Sequence, residues 1–427
     1  MAHAHHHEPD LSAGNTTGVK HGLTWLLIGG ALLFSSAGLG GKLEAGEAAR
    51  AYLVFMIVAF STCLGALFFV IVQHLTRAGW SVAVRRPAEA LAQNLRWMWV
   101  LFLPIAWMGW NGTLVNLYPW ADLDVLRSVS PAEADLVANK AGYLNPRFFF
   151  ARSAIYLAVW AGLAQFYWSS SLRQDRTGDP AITAASRKWA GPSMILFGLS
   201  TTFASFDWMM SLSPAWFSTM FGVYFFALCA TLGLAATVLL TKDIMREGGR
   251  LKGIVTTEHF HDLGKMLFAF GIVFWAYIAF SQFMLIWYGN LPEETTWFLA
   301  RQVGAWLPLS WLLLVGHFIV PFVFLISRWT KRWNWTLYFA CCWMLAFGCL
   351  DVVYLVVPHV PHDLGDFQTY AAFAEKHAGD GPHGPLVTYA LAAFFLVMGG
   401  ARLALSGKSL VPVRDPSLGE SLAFQNM

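Results

Sequence analysis

The sequence predicts an all-α integral membrane protein of about ten transmembrane helices, and three observations predict it. Of the 427 residues, 57% are hydrophobic and only 12% are charged. The mean hydropathy of +0.51 is too apolar for a water-soluble chain. Ten apolar runs are long enough to cross about 30 Å of hydrocarbon, which takes roughly 20 helical residues. Aromatic residues reach 16%, with 21 Trp, as expected where many helix ends meet lipid headgroups.

The runs fall near residues 22–40, 51–74, 93–110, 148–170, 190–211, 214–240, 261–288, 303–327, 334–357 and 385–405. The first is weakened by its glycines, and the third is short and carries Pro104. Before them, "MAHAHHHEPDLSAGNTTG" is polar, lacks the apolar core of a signal peptide and reads as a solvated, histidine-containing tail. In "FASFDWMMSLSPAWFSTMFGVYFF", Ser213-Pro214 reads as an N-cap followed by a first-turn proline. The fifth and sixth spans would then form a tight hairpin, with Trp208 and Trp216 flanking it in the interface. Cys63, Cys229, Cys341, Cys342 and Cys349 lie in apolar runs without CxxC or CxxCH spacing and read as small buried hydrophobes. No metal site is expected.

Assigning loops alternately to two sides separates the basic residues. One side collects Arg77, Arg85, Arg86, Arg96, Arg173, Arg176, Arg187 and Lys188, then Lys242 to Lys265 and Arg328 to Arg332, with Lys20 and three near the C-terminus. The other side receives eight of the 28. Under the positive-inside rule both termini are cytoplasmic. The net charge of +3 therefore reflects topology and does not point to nucleic acid. The outer loops 111–147 and 358–384 are too long for tight turns, and loops of that length suit a docking partner.

A few polar residues stand at membrane depth, where charge is costly and function is the first hypothesis. Asp207 lies about one turn inside the hairpin, and Ser193, Ser200, Ala204 and Ser211 share its face at helical spacings. Such a small-polar stripe faces other helices. Arg152 sits one turn into the fourth span, and Asp351 and Tyr354 lie three apart on the outer half of the ninth. His317 is near the middle of the eighth, where Pro321 cannot donate to the carbonyl of residue 317. At the start of the seventh, Glu258, His261, Asp262 and Lys265 fall at i, i+3, i+4 and i+7 on one face. Together these read as a broken proton wire, with an inner mouth, a central imidazole able to switch charge near neutral pH, and outer carboxylates. The plainer alternatives are an Arg152–Asp207 structural ion pair, a packed His317 and a solvated helix start. Bis-imidazole haem needs several mid-membrane histidines, and only one is found.

The stretches "SFDWMMSLSPAWFSTMFGVYFF" and "HDLGKMLFAFGIVFWAYIAFSQFMLIWYGNLPEET" resemble the second large membrane subunit of bacterial alternative complex III, a quinol:electron-acceptor oxidoreductase. That subunit belongs to the NrfD-like group, with the membrane subunit of polysulfide reductase. The resemblance runs through roughly residues 190–357. It implies two four-helix bundles, spans 2–5 and 6–9, flanked by spans 1 and 10, in a bacterial inner membrane. The chain then divides into a tail (1–21), spans 1–5 (22–212), spans 6–9 (213–358), an outer loop (359–384), and span 10 with a cytoplasmic tail (385–427). The implied partners are a paralogous NrfD-like subunit, an iron–sulfur/molybdopterin-like peripheral subunit and c-type haem subunits. Haem and iron–sulfur clusters belong to those partners, and quinone or quinol is the one small molecule this chain could touch. Asp207 falls in the matching FDWMMSL, His261, Asp262 and Lys265 in HDLGK, and Gln282 in SQFMLIWY.

The expected function is a proton-relaying membrane subunit of a quinol-oxidising complex. Asp207 and Asp351 would be outer carriers with Arg152 tuning their proton affinity, His317 the central relay, and Glu258, His261, Asp262 and Lys265 the inner mouth. The rival readings are a proton-coupled secondary transporter, which calls for broken helices at a midplane cavity, and an inert scaffold for peripheral redox subunits.

Overall fold

In the computed structural model, residues 17–41, 43–247, 250–358, 369–382 and 384–426 are described. His3, His5, His6 and His7 of the N-terminal tail and residues 359–368 and 383 of the outer loop lie outside them. Among the described residues the chain is predominantly helical and forms no strand. Eleven helices frame it: α1 Thr17–Gly40, α2 Ala45–Leu75, α3 Val82–Gln93, α4 Met98–Trp110, α5 Pro146–Thr177, α6 Pro180–Trp208, α7 Met220–Arg246, α8 Thr257–Gly289, α9 Trp306–Ile326, α10 Asn334–Val356 and α11 Leu386–Leu405.

Eight of them are long and apolar enough to cross a membrane: α1, α2, α5, α7, α8, α9, α10 and α11. The expected third and fifth spans fall short of that description for different reasons. The third is interrupted, its apolar part being the short α4, preceded by the amphipathic α3. The fifth, α6, is 29 residues long but diluted by serine and threonine. Those hydroxyls face inward, with Ser193, Ser200, Thr201 and Ser205 all buried beside Ala204 and Asp207.

Two nearly fully buried helices, α2 and α7, form the centre. They cross at Gly65 and Gly233, where a Cβ on Gly65 would lie 1.8 Å from the Cys229 carbonyl oxygen. Only hydrogen side chains let the two backbones meet there. The glycines of α1 are explained in the same way, since Gly22 and Gly29 seat Leu403 and Leu396 of α11. Around this centre α3, α5 and α6 pack on α2, and α8 and α10 pack on α7. Helix starts follow local chemistry: Asn145 caps the Phe148 N–H ahead of Pro146, and Asp179 caps the Ala181 N–H ahead of Pro180.

The hairpin differs from the expectation. The expected sixth span, α7, starts at Met220, not Pro214, because a 3-10 turn at Met210–Leu212 and irregular chain fill the gap. Trp208 and Trp216 are buried, not interfacial. Trp208 packs between Phe60 and Trp160, and Trp216 stacks on Trp297 at 4.9 Å. The exposed aromatic belts are elsewhere, with Trp107, Trp110, Trp287 and Tyr288 at one end and Trp329, Trp333 and Trp335 at the other. They mark the Asp207 end and the Lys265 end of the molecule. Of the cysteines, Cys63, Cys229 and Cys341 are buried, whereas Cys349 is half-buried and Cys342 exposed on α10.

The C-terminal segment is not a free tail. It folds over the Lys265 end, where Ser421 Oγ donates to the Trp80 carbonyl at 2.6 Å and accepts from the Ala83 N–H at 3.0 Å. Asp415 pairs with Arg85 at 2.5 Å, and Glu89 contacts both Arg85 and Arg86 at 3.0 and 3.2 Å. Arg86 also reaches Asp175 at 2.6 Å. The arginines assigned from sequence to a basic loop are thus buried inside an acidic cage.

Candidate functional site

The structure sorts the candidate residues into three separate groups. The innermost centres on Asp351, which is 0% exposed. Its helix, α10, turns it toward α7 and α8. Tyr224 Oη of α7 donates to Oδ1 and Trp275 Nε1 of α8 donates to Oδ2, both at 2.7 Å. His317 of α9, also fully buried, places Nδ1 3.9 Å from Oδ2. Its ring lies flat on the Trp275 indole, 3.9 Å between centroids and 3° between planes. Nδ1 has no hydrogen-bond partner among the described residues, while Nε2 faces the Gly271 carbonyl at 3.3 Å.

Two wide turns create this geometry. Leu267–Phe274 in α8 and Leu314–Ile319 in α9 are π-helical, a form that is rare and gathers at functional sites. The second runs into Pro321, which has no N–H to offer the preceding turn. Wide turns leave carbonyls for side chains, and both are used. Gly271 O accepts from Thr231 Oγ1 at 3.2 Å, and Gly316 O accepts from Trp343 Nε1 at 2.7 Å.

Tyr354, expected to work beside Asp351, is not among its hydrogen-bond donors. It lines a crevice of about 900 Å³ between α8 and α9, together with Tyr224, Trp275, Gln282 and Arg301. The carboxylate therefore sits behind the aromatic wall of an apolar cleft.

The second group closes the opposite half of the molecule. Asp207 receives Arg152 Nε and Nη2, each at 2.8 Å, and Tyr156 Oη at 2.7 Å. Arg152 also donates to the Tyr143 carbonyl at 3.0 Å, with its guanidinium 3.7 Å from the Tyr143 ring centre and 4.2 Å from that of Phe148. The inward direction expected for Asp207 holds, and so does its pairing with Arg152. No bond among the described residues links this pair to Asp351.

The third group lies at the Lys265 end. Asp262 pairs with Lys265 at 2.5 Å, but Glu258 leaves the shared face to pair with Arg332. Asn426 joins the two, accepting from Lys265 Nζ at 3.0 Å and donating to the Glu258 carbonyl at 3.4 Å. His261 is 7% exposed and its Nδ1 has no partner among the described residues. Beside it, burial and the neighbouring Lys265 pull the Lys331 ammonium below its ordinary pKa. Lys331 Nζ caps α9 by donating to Leu325 O at 2.5 Å.

Sequence reasoning missed Tyr224, Trp275, Tyr156 and Arg301. Nothing in their local spacing marks them, since each is an aromatic or basic residue among many. The signal available was indirect, because a buried carboxylate must find donors. No family model matches this chain, and no curated protein matches it.

Proposed function

We propose that this chain is an NrfD-like membrane subunit of a quinol-oxidising complex of the alternative complex III type. Asp351 and His317 exchange a proton within it, and electrons travel through partner subunits. The observation that carries the reading is the 3.9 Å approach of an unpartnered His317 Nδ1 to a fully buried Asp351. That separation exceeds a hydrogen bond and is closed by one water or a small ring rotation. A proton leaving imidazolium Nδ1 then arrives on Asp351 Oδ2, with Tyr224 and Trp275 holding the carboxylate still. Buried ionisable groups that face a bundle interior are a usual feature of proton relays.

The finer architecture belongs to this proposal. Ten segments cross the membrane once α6 and the interrupted α3–α4 are added to the eight apolar helices. Spans 2–5 and 6–9 form two four-helix bundles meeting at α2 and α7. The Lys265 end is cytoplasmic, and Glu258, His261, Asp262 and Lys265 serve as its proton mouth. Tyr354 stands beside the cleft as a second polar contact. Haem and iron–sulfur groups reside in a peripheral iron–sulfur/molybdopterin-like subunit and in c-type haem subunits, beside a paralogous NrfD-like subunit.

A second reading is favoured at one place. Asp207 is held by both arms of Arg152 and by Tyr156, an arrangement suited to a clamp between α5 and α6. There the scaffold reading has the better support.

Purification from native membranes tests membership: a complex subunit copurifies with c-type haem and iron–sulfur protein, and a stand-alone transporter does not. Proton release per quinol oxidised in liposomes then tests the relay. Asp351→Asn and His317→Leu are expected to lower that ratio while uncoupled quinol oxidation persists. Unchanged coupling in well-assembled variants would leave only a structural role.

A further inference from the structure

We propose that the crevice between α8 and α9 binds one anionic phospholipid, its chain lying along the aromatic groove and its head meeting Arg301. This goes beyond the relay and does not depend on it.

Shape is the first argument. The crevice follows the helix axes, from Val273 to Phe283 on α8 and from Leu307 to Phe322 on α9. At 1.5 Å per residue the α9 wall is about 22 Å long. One leaflet offers roughly half of a 30 Å hydrocarbon core. The space of about 900 Å³ is therefore a long slot of acyl-chain proportions. It opens sideways, since Tyr277, Phe280 and Trp311 on its rims are all more than 60% exposed.

Charge is the second argument. Arg301 is 1% exposed and has no carboxylate partner among the described residues. It donates to three carbonyls: Tyr354 at 3.0 Å, Trp297 at 2.9 Å and Leu355 at 3.3 Å. Since a guanidinium has five N–H donors, two remain. Its plane stacks on Trp297, 3.4 Å from the ring centre. Burial draws its pKa down to about 9, which leaves it charged at neutral pH. A buried cation without a counter-ion is costly, and a headgroup phosphate supplies one with bidentate geometry.

A third observation lies in the wall. Gln282 is 3% exposed, lines the same crevice, and its Nε2 has no hydrogen-bond partner among the described residues. Both polar anchors are donors, so the occupant presents acceptors, as phosphate and ester oxygens do. A neutral ring compound would satisfy Gln282 but leave the Arg301 charge unpaired.

The test is native mass spectrometry of the delipidated, full-length protein, titrated separately with phosphatidylglycerol, phosphatidylcholine, oleate and a short-tailed ubiquinone. Phosphatidylglycerol is expected to bind at least tenfold more tightly than phosphatidylcholine. Arg301→Gln should remove that preference and Arg301→Lys should restore part of it. Ala279→Trp fills the slot without touching the guanidinium, and should abolish retention even if Arg301→Gln fails to fold. Equal binding of the two phospholipids, or a preference that survives both Arg301→Gln and Ala279→Trp, overturns the proposal. Tighter binding of oleate or ubiquinone than of phosphatidylglycerol does so as well. Unchanged proton coupling in Asp351→Asn and His317→Leu would count against the relay alone and would leave the lipid site standing.

Discussion

His317 lies flat against Trp275, and the indole N–H of that same Trp275 holds Asp351. One side chain thus positions both an imidazole and a carboxylate. Trp275 directly follows the wide turn of α8, and His317 lies inside that of α9. The stack fixes the imidazole plane and leaves Nδ1 on the carboxylate side.

The first prediction concerns the donors. Tyr224→Phe removes an O–H from a buried carboxylate, and an unmade bond of this kind costs about 1–3 kcal/mol. Thermal unfolding in detergent should show that loss. In the Asp351→Asn background the same change should cost measurably less, because the two sites share one bond. Equal costs in both backgrounds would show that Tyr224 acts through packing alone.

The second concerns the clamp. Removing one member of a buried pair leaves a lone charge and costs about 3–5 kcal/mol. Arg152→Met and Asp207→Leu should each lower the melting temperature sharply. The double variant should be more stable than the worse single variant, since no charge is stranded. A double variant as poor as the sum of the singles would count against the ion-pair account.

The third concerns the crossing of α2 and α7. Gly65→Val places atoms where the Cys229 carbonyl already stands. Fluorescence-detected size exclusion should show loss of the monodisperse peak. Gly30→Val is the control, because open space surrounds that glycine. Similar behaviour of the two variants would contradict the crossing.

The fourth concerns the acidic cage. Glu89→Gln leaves Arg85 and Arg86 with one carboxylate each, Asp415 and Asp175. A loss of about 3–5 kcal/mol is expected by the same rule for buried pairs. Hydrogen exchange should rise in the docked segment 412–424 as the contacts of Asp415 and Ser421 loosen. Unchanged protection there would mean that the segment is held by packing rather than by charge.

Composition and periodicity alone determined the helical architecture and the inward face of Asp207. Each follows from local rules: apolar length sets a span, and spacing of three or four sets a face. Partners were decided only by the tertiary structure. Tyr224 and Asp351 are 127 positions apart, and Arg85 and Asp415 are 330 apart, so no window along the chain contains both. Arg85 and Arg86 read as loop charges because Glu89 is their one nearby carboxylate, while Asp175 and Asp415 arrive from α5 and from the C-terminal segment. The wide turns of α8 and α9 escaped as well, since π and α turns share the same residue preferences and differ in which packing they satisfy. Local pattern sets which faces are apolar, and the fold decides which charges are buried and which of them meet, because meeting depends on distance in space.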